Sequence, residues 1–169
     1  MALQPEGARL QTFVTDLKRE LEVFRQFYQV LSTEQDALVA GHVDGLLTLA
    51  QTKNEKVVAL TELAQRRNQF LTDYAGSTNQ IGMEAWLDTA DPGDRSGVGR
   101  LWQELIDLAR SARELNQHNG QLIQTRLASN QQALGILLGA NASTTHLYGA
   151  DGQAYSNTAI LTGRPLGKA

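Results

Sequence analysis

No cysteine occurs in the 169 residues, so neither a disulfide framework nor a thiolate site exists, which fits a reducing compartment. Proline is scarce, with three residues, and aromatics amount to two tryptophans, four tyrosines and four phenylalanines. Ile and Val are also sparse, whereas Leu, Ala and Gln are plentiful, a balance that favours helix over sheet. No apolar run approaches the ~20 residues that cross a bilayer. The first residues, MALQPEGARLQ, lack the charged and apolar regions of a secretory signal. A cytoplasmic protein without direct membrane insertion is expected. Neither sign of charge dominates: 15 basic and 18 acidic residues leave −3, and the basic ones are scattered, which argues against nucleic acid as a partner.

Catalytic constellations are missing as well. His42, His118 and His146 lie in different segments, and none has a second His or a carboxylate at helical metal-ligand spacing, so each reads as solvated. No pair of acids sits in an apolar context that would split their pKa values. GRPLGKA at 163–169 has too few residues between its glycines for a phosphate loop and lacks the Ser or Thr after Lys168. No enzyme, cofactor or metal is expected.

What the chain does contain is helical period. The length suits one domain plus tails. Leu10, Val14, Leu17, Leu21, Phe24, Tyr28, Leu31, Gln35 and Leu38 alternate spacings of four and three, an a/d seam that predicts a helix over about 6–40. A second stripe, from Leu46 through Leu60, Leu63 and Phe70 to Tyr74, predicts a helix over about 43–75, and the short join at Gly41 makes the pair an antiparallel hairpin. A short helix is predicted at about 81–88 around Trp86, followed by a loop, DTADPGDRSGVG, with repeated breakers. A third long helix is predicted over about 99–138. The expected fold is all-α: an elongated antiparallel bundle or coiled coil of three long helices plus a short one. Residues 1–139 form the helical domain in this reading. Residues 140–169 have isolated apolar residues and no period, so a mobile tail is expected there.

The third helix is unusual. Between 114 and 138 its only charges are Glu114 and Arg126, and the remainder is Leu, Ile and Ala among Asn, Gln, Ser and Thr. A solvent-facing helix is ordinarily laced with Glu and Lys. The apolar arc widens from ~80° over Leu101–Leu115 to ~160° beyond Gly120, more than one internal seam requires. Either a partner or a further neighbour in the bundle accounts for the excess. Gly120 and Gly135 each cost about 1 kcal/mol relative to Ala, through simple tolerance or through close approach of another backbone. Asn119 and Asn130 fall within the arc. Such amides pair inside a bundle and fix register, or they hydrogen-bond a bound segment.

LNQHNG at 115–120, NQQAL at 130–134 and LYGADGQ at 147–153, in that order and spacing, resemble the carboxy-terminal third of the FlgN-type flagellar export chaperones. The close match covers roughly 114–153. The stretch between Gly76 and Gly99 and the last residues depart from the family's enteric pattern and inherit no role. The resemblance implies a chaperone of flagellar type III export that binds the terminal amphipathic segment of the hook–filament junction proteins, prevents their premature polymerisation and brings them to the export gate. It implies cargo contacts at Leu115, Asn119, Leu122, Ile123, Leu127, Asn130, Leu134, Leu137 and Leu138, and favours the bound-segment reading of the two asparagines. It also implies docking of the export-gate protein's cytoplasmic domain by Leu147 and Tyr148, an aromatic well suited to a hot spot because it brings large area at little rotamer cost. An interaction with the export-apparatus stalk protein is a further family trait, to which no residues are assigned. The contrasting expectation is a structural coiled-coil homo-oligomer whose third-helix stripe is buried against its own copy.

Overall fold

The computed structural model of the protein describes the backbone of residues 6–144 and the side chains of residues 7–139. Four helices make up these residues: α1, Glu6–Ala40; α2, Leu46–Ala75; α3, Asn79–Thr89; and α4, Pro92–Thr144. The all-α expectation holds, and α1, α2 and α4 are the three long helices. The chain forms two compact units, Met1–Ile123 and Gln124–Ala169, with the division inside α4. The expected mobile tail lies outside the described residues except for its first few, which continue α4 to Thr144.

The a/d seam of α1 is what the first unit is built on. Leu17, Leu21, Leu31 and Leu38 are all buried at its predicted positions. Phe13 joins them one position before Val14, because its ring stacks on Phe70 at 4.0 Å and 10°. α1 ends where Gly41 takes φ 80° and His42 N–H reaches back to Ala37 O at 2.9 Å, closing the last turn in the left-handed C-terminal motif that glycine favours. The antiparallel partner α2 supplies Leu60, Leu63, Phe70 and Leu71 to the same core.

α3 caps one end of this hairpin. Met83 and Trp86 are buried, and Trp86 meets Phe13 at 5.6 Å and Phe70 at 6.0 Å in tilted and edge-on geometries. α4 adds Val98, Trp102, Leu105 and Ala112.

α4 begins earlier than predicted, and the residues 92–98 read as loop are its first turns. Their start signals outweigh the glycines: Pro92 occupies the first helical position, Asp94 lies in the first turn, and Arg95 N–H donates to Asp91 O at 2.8 Å. Two tertiary contacts stabilise the extension. Val98 buries itself in the core, and the Arg95 guanidinium donates to Leu87 O and Asp88 O, each at 2.6 Å, satisfying last-turn carbonyls of α3.

Gly82 is required by close approach. A Cβ there would lie 2.3 Å from Ser77 O, a backbone atom that cannot swing away. Gly120 is the opposite case, since a Cβ would meet nothing within 4 Å, so tolerance is its reading within this chain. Gly82→Ala is therefore expected to destabilise the protein by about 2 kcal/mol, through overpacking only partly offset by helix propensity. Gly120→Ala should stabilise it by about 0.5–1 kcal/mol. Urea denaturation midpoints check both, and equal shifts for the two variants would contradict the close contact at Gly82.

Candidate partner-binding surfaces

Within the first unit, α4 turns one side of its surface into the bundle. Leu105 and Ala112 are buried, Leu108 and Leu115 are half-buried, and Asn119 is 1% exposed. Asn119 is thus not a surface residue, which corrects its placement in the cargo set. Its Nδ2 donates to Leu31 O at 2.8 Å and to Glu34 Oε2 at 3.0 Å. Glu34, 4% exposed, also accepts from Lys53 Nζ at 2.7 Å. Of the two readings of the amide, pairing inside the bundle is the one realised. Its Oδ1 is buried without a hydrogen-bond partner. Leu122 is half-buried and Ile123 is exposed at the end of this unit.

The second unit is different in character. Leu127, Leu134, Leu137 and Leu138 are 49%, 58%, 61% and 69% exposed, and Asn130 is exposed between them. At 100° per residue these five positions fall within about 100° of arc, one continuous row. Ile136 is also largely exposed, and the helical turn puts it on the far side from Leu134; periodicity had not singled it out. The row is free of charge along its length. Burying a Leu fully is worth about 1.5–3 kcal/mol, so covering such a row with another apolar helix face would need no charged contact. Leu147 and Tyr148 lie outside the described residues.

A second polar pair lies in the first unit and takes no part in the row. Arg67 Nε donates to Glu20 Oε2 at 3.1 Å, and the guanidinium sits over the Trp102 ring at 5.0 Å from its centroid. Both residues are buried. Burial pushes the Glu20 carboxyl above its ordinary value, Arg67 opposes that, and the neighbouring Asp16 carboxylate adds to it. Burial likewise lowers Arg67, with Glu20 holding it up. No group of three or more His, Cys, Asp or Glu able to hold a metal exists among the described residues.

The chain with this all-α fold and uncharged apolar row matches a known family. The family model described as "FlgN protein" matches residues 1–156. The chain belongs to the FlgN family. The flagella synthesis protein FlgN of Proteus mirabilis is 34% identical over 81% of this chain and 84% of its own length. That of Yersinia enterocolitica is 29% identical over 94% and 97%, and that of Salmonella typhimurium 30% identical over 78% and 81%. No solved structure matches. FlgN is a family of flagella synthesis proteins and not of enzymes. The matched span includes all three motifs that carry the resemblance. No helix among the described residues is long and apolar enough to cross a membrane.

The raised Glu20 carboxyl has a pH consequence. Its native form binds a proton more readily than the unfolded chain does, so its contribution to stability is full below the ordinary value of 4.5 and is lost as pH rises through the native value. Glu20→Gln keeps an acceptor for Arg67 and removes this titration. The stability of wild type relative to Glu20→Gln should therefore fall as pH increases from about 4 toward neutrality, measured by urea unfolding across that range. A difference that stays flat or rises with pH would contradict the assigned direction.

Proposed function

We propose that this FlgN-family protein is a cytoplasmic export chaperone that holds the terminal amphipathic segment of the hook–filament junction proteins. The observation that carries this reading is the exposed, uncharged row of Leu127, Asn130, Leu134, Leu137 and Leu138. A cargo helix laid along the row would hide its own apolar face together with that of the chaperone, which blocks premature polymerisation. The row lies wholly in the second unit, whereas the exposed Ile123 and the half-buried Leu115 and Leu122 of the sequence-based set lie in the first. Ordering a flexible cargo segment opposes binding by several kcal/mol, so the complex stays reversible. No nucleotide or metal is needed for such a mechanism.

In this reading Leu147 and Tyr148 dock the cytoplasmic domain of the export-gate protein, as the family motif LYGADGQ implies. They follow α4 by only a few residues, and they are distinct in sequence from the cargo row. Contact with the export-apparatus stalk protein belongs to the same proposal, without assigned residues.

Leu127→Glu combined with Leu134→Glu is expected to weaken binding of a cargo C-terminal peptide by at least ~100-fold, since each exposed Leu loses its burial and a carboxylate takes its place. Both residues are surface residues, so circular dichroism should still show a folded helical protein. Unchanged peptide affinity in the folded double variant would place cargo elsewhere. Light scattering separates the homo-oligomer reading: a protein that covers the row with its own copy loses mass in the same variant, whereas a chaperone does not.

Tyr148→Ala is expected to weaken binding of the gate's cytoplasmic domain by ~30-fold or more, the loss common for a truncated hot-spot aromatic, while cargo affinity stays within about twofold. Calorimetric titration against each partner, with cargo already bound for the gate measurement, reads both numbers. Equal losses toward cargo and gate would mean one continuous site and would end the two-site description.

A further inference from the structure

We infer that the first unit carries a second docking surface, a cleft between α1, α2 and α4 that accepts an amphipathic helix of another protein with acidic residues flanking its apolar face. The inference does not rest on the cargo row. The cleft has a volume of about 530 Å³. Half-buried Phe24 and Phe27, their rings edge-on at 6.4 Å, contribute from α1, Val57 and Leu60 from α2, and Trp102 and Ile106 from α4. The Glu20–Arg67 pair also borders it, so the polar groups in the depth are already matched to each other.

The shape is that of an unfinished four-helix bundle. α3 brings Met83 and Trp86 to the core, and its first residues, Asn79 and Gln80, border the cleft. Beyond them, among the described residues of the first unit, no fourth helix covers Phe24, Phe27 and Val57. The lining spans Val57 to Ala64 on α2 and Trp102 to Ala109 on α4. At 1.5 Å per residue each is about 10 Å, or two turns, the length over which a helix sets i, i+3 or i+4, and i+7 side chains into a groove.

Charge selects the occupant. One turn on from Ile106 and Ala109, the α4 side carries Arg110 and Arg113, both exposed. Arg110 has only a loose exposed contact with Asp107 at 3.7 Å, which is worth little. The α2 side presents Thr61 and, a turn on, Gln65, both uncharged. A cationic edge beside an apolar cleft, on a chain whose net charge is −3, favours a helix with Glu or Asp along the side that meets α4. The chain's own segment beyond Thr144 has the wrong sign, with Asp151 outnumbered by Arg164 and Lys168. A second copy packed symmetrically on this cleft would set the same arginines against each other.

The test uses the full-length protein and two labelled designed helical peptides of about 20 residues. Both have Leu at the a and d positions; one has Glu and the other Lys at the flanking e and g positions. Fluorescence anisotropy should show the Glu peptide binding at least ~10-fold more tightly than the Lys peptide. Arg110→Glu with Arg113→Glu, both on the surface, should invert that preference. Ala109→Trp, which fills the cleft, should weaken the Glu peptide by at least ~10-fold. Val57→Trp serves the same purpose from the exposed side of α2 if circular dichroism shows that Ala109→Trp has not folded. Leu127→Glu with Leu134→Glu should leave this binding unchanged, and that result separates the cleft from the cargo row. The inference is overturned if neither peptide binds, if the preference fails to invert, if filling the cleft has no effect, or if the α4 row variant abolishes binding. It is overturned equally if light scattering shows a dimer that the Ala109→Trp variant converts to monomer, because the cleft is then occupied by a second copy.

Discussion

A single carboxylate, Glu34, ties the three long helices of the first unit together. One oxygen accepts from Lys53 on α2 and the other from Asn119 on α4, while the second Asn119 N–H goes to Leu31 O on α1 itself. Leucine seams alone are tolerant of slippage, because a shift by one heptad replaces one apolar side chain with another. A buried carboxylate and a buried amide are not tolerant. Moving either helix would leave both unpaired in a low dielectric, at several kcal/mol. The arrangement retains one imperfection, the unpaired Asn119 Oδ1, which costs about 1–3 kcal/mol against an apolar residue of the same shape. Register is what that cost secures, and register decides which α4 side chains are inside.

The two stretches of α4 differ sharply in exposure. In the first unit the same helix buries Trp102, Leu105, Ala112 and Asn119. In the second unit Leu127, Leu134, Leu137 and Leu138 are 49–69% exposed, with no charge among them. The aromatic part of the core lies at the α3 end, where Phe13, Phe70 and Trp86 interlock and Arg9 lies over Tyr74 at 5.1 Å and pairs with Asp73 at 2.5 Å. A helix that is core at one end and open at the other separates the folding of the protein from the surface it presents.

The Glu20–Arg67 pair lies in the first unit. Its charges are out of water, and the attraction between them offsets only part of the desolvation penalty, which is why burial still raises Glu20 and lowers Arg67. The indole of Trp102 supplies a third partner by accepting the cation on its face. Its sequence neighbour Arg66, by contrast, lies at the surface and reaches Asp16 at 3.6 Å.

The helices, their order and the antiparallel hairpin were legible because a 3.6-residue period follows from backbone geometry and survives in any tertiary context. The apolar row at Leu127–Leu138 was legible for the same reason, as a periodic stripe without charges, and so was the family, through three short motifs. What the residues could not reveal by themselves was which members of a stripe meet water. Asn119 and Asn130 occupy equivalent places in the pattern, yet Asn119 is sealed under α1 by Glu34 and Leu31 while Asn130 is open. The start of α4 at Pro92 likewise depended on contacts from afar, the Arg95 caps on α3 and the burial of Val98, which outweighed the local preference of three glycines. Amphipathic period is a property of one helix and is written locally. Burial of a particular side chain is a property of its neighbours, and only the packing of α1, α2 and α4 decided it.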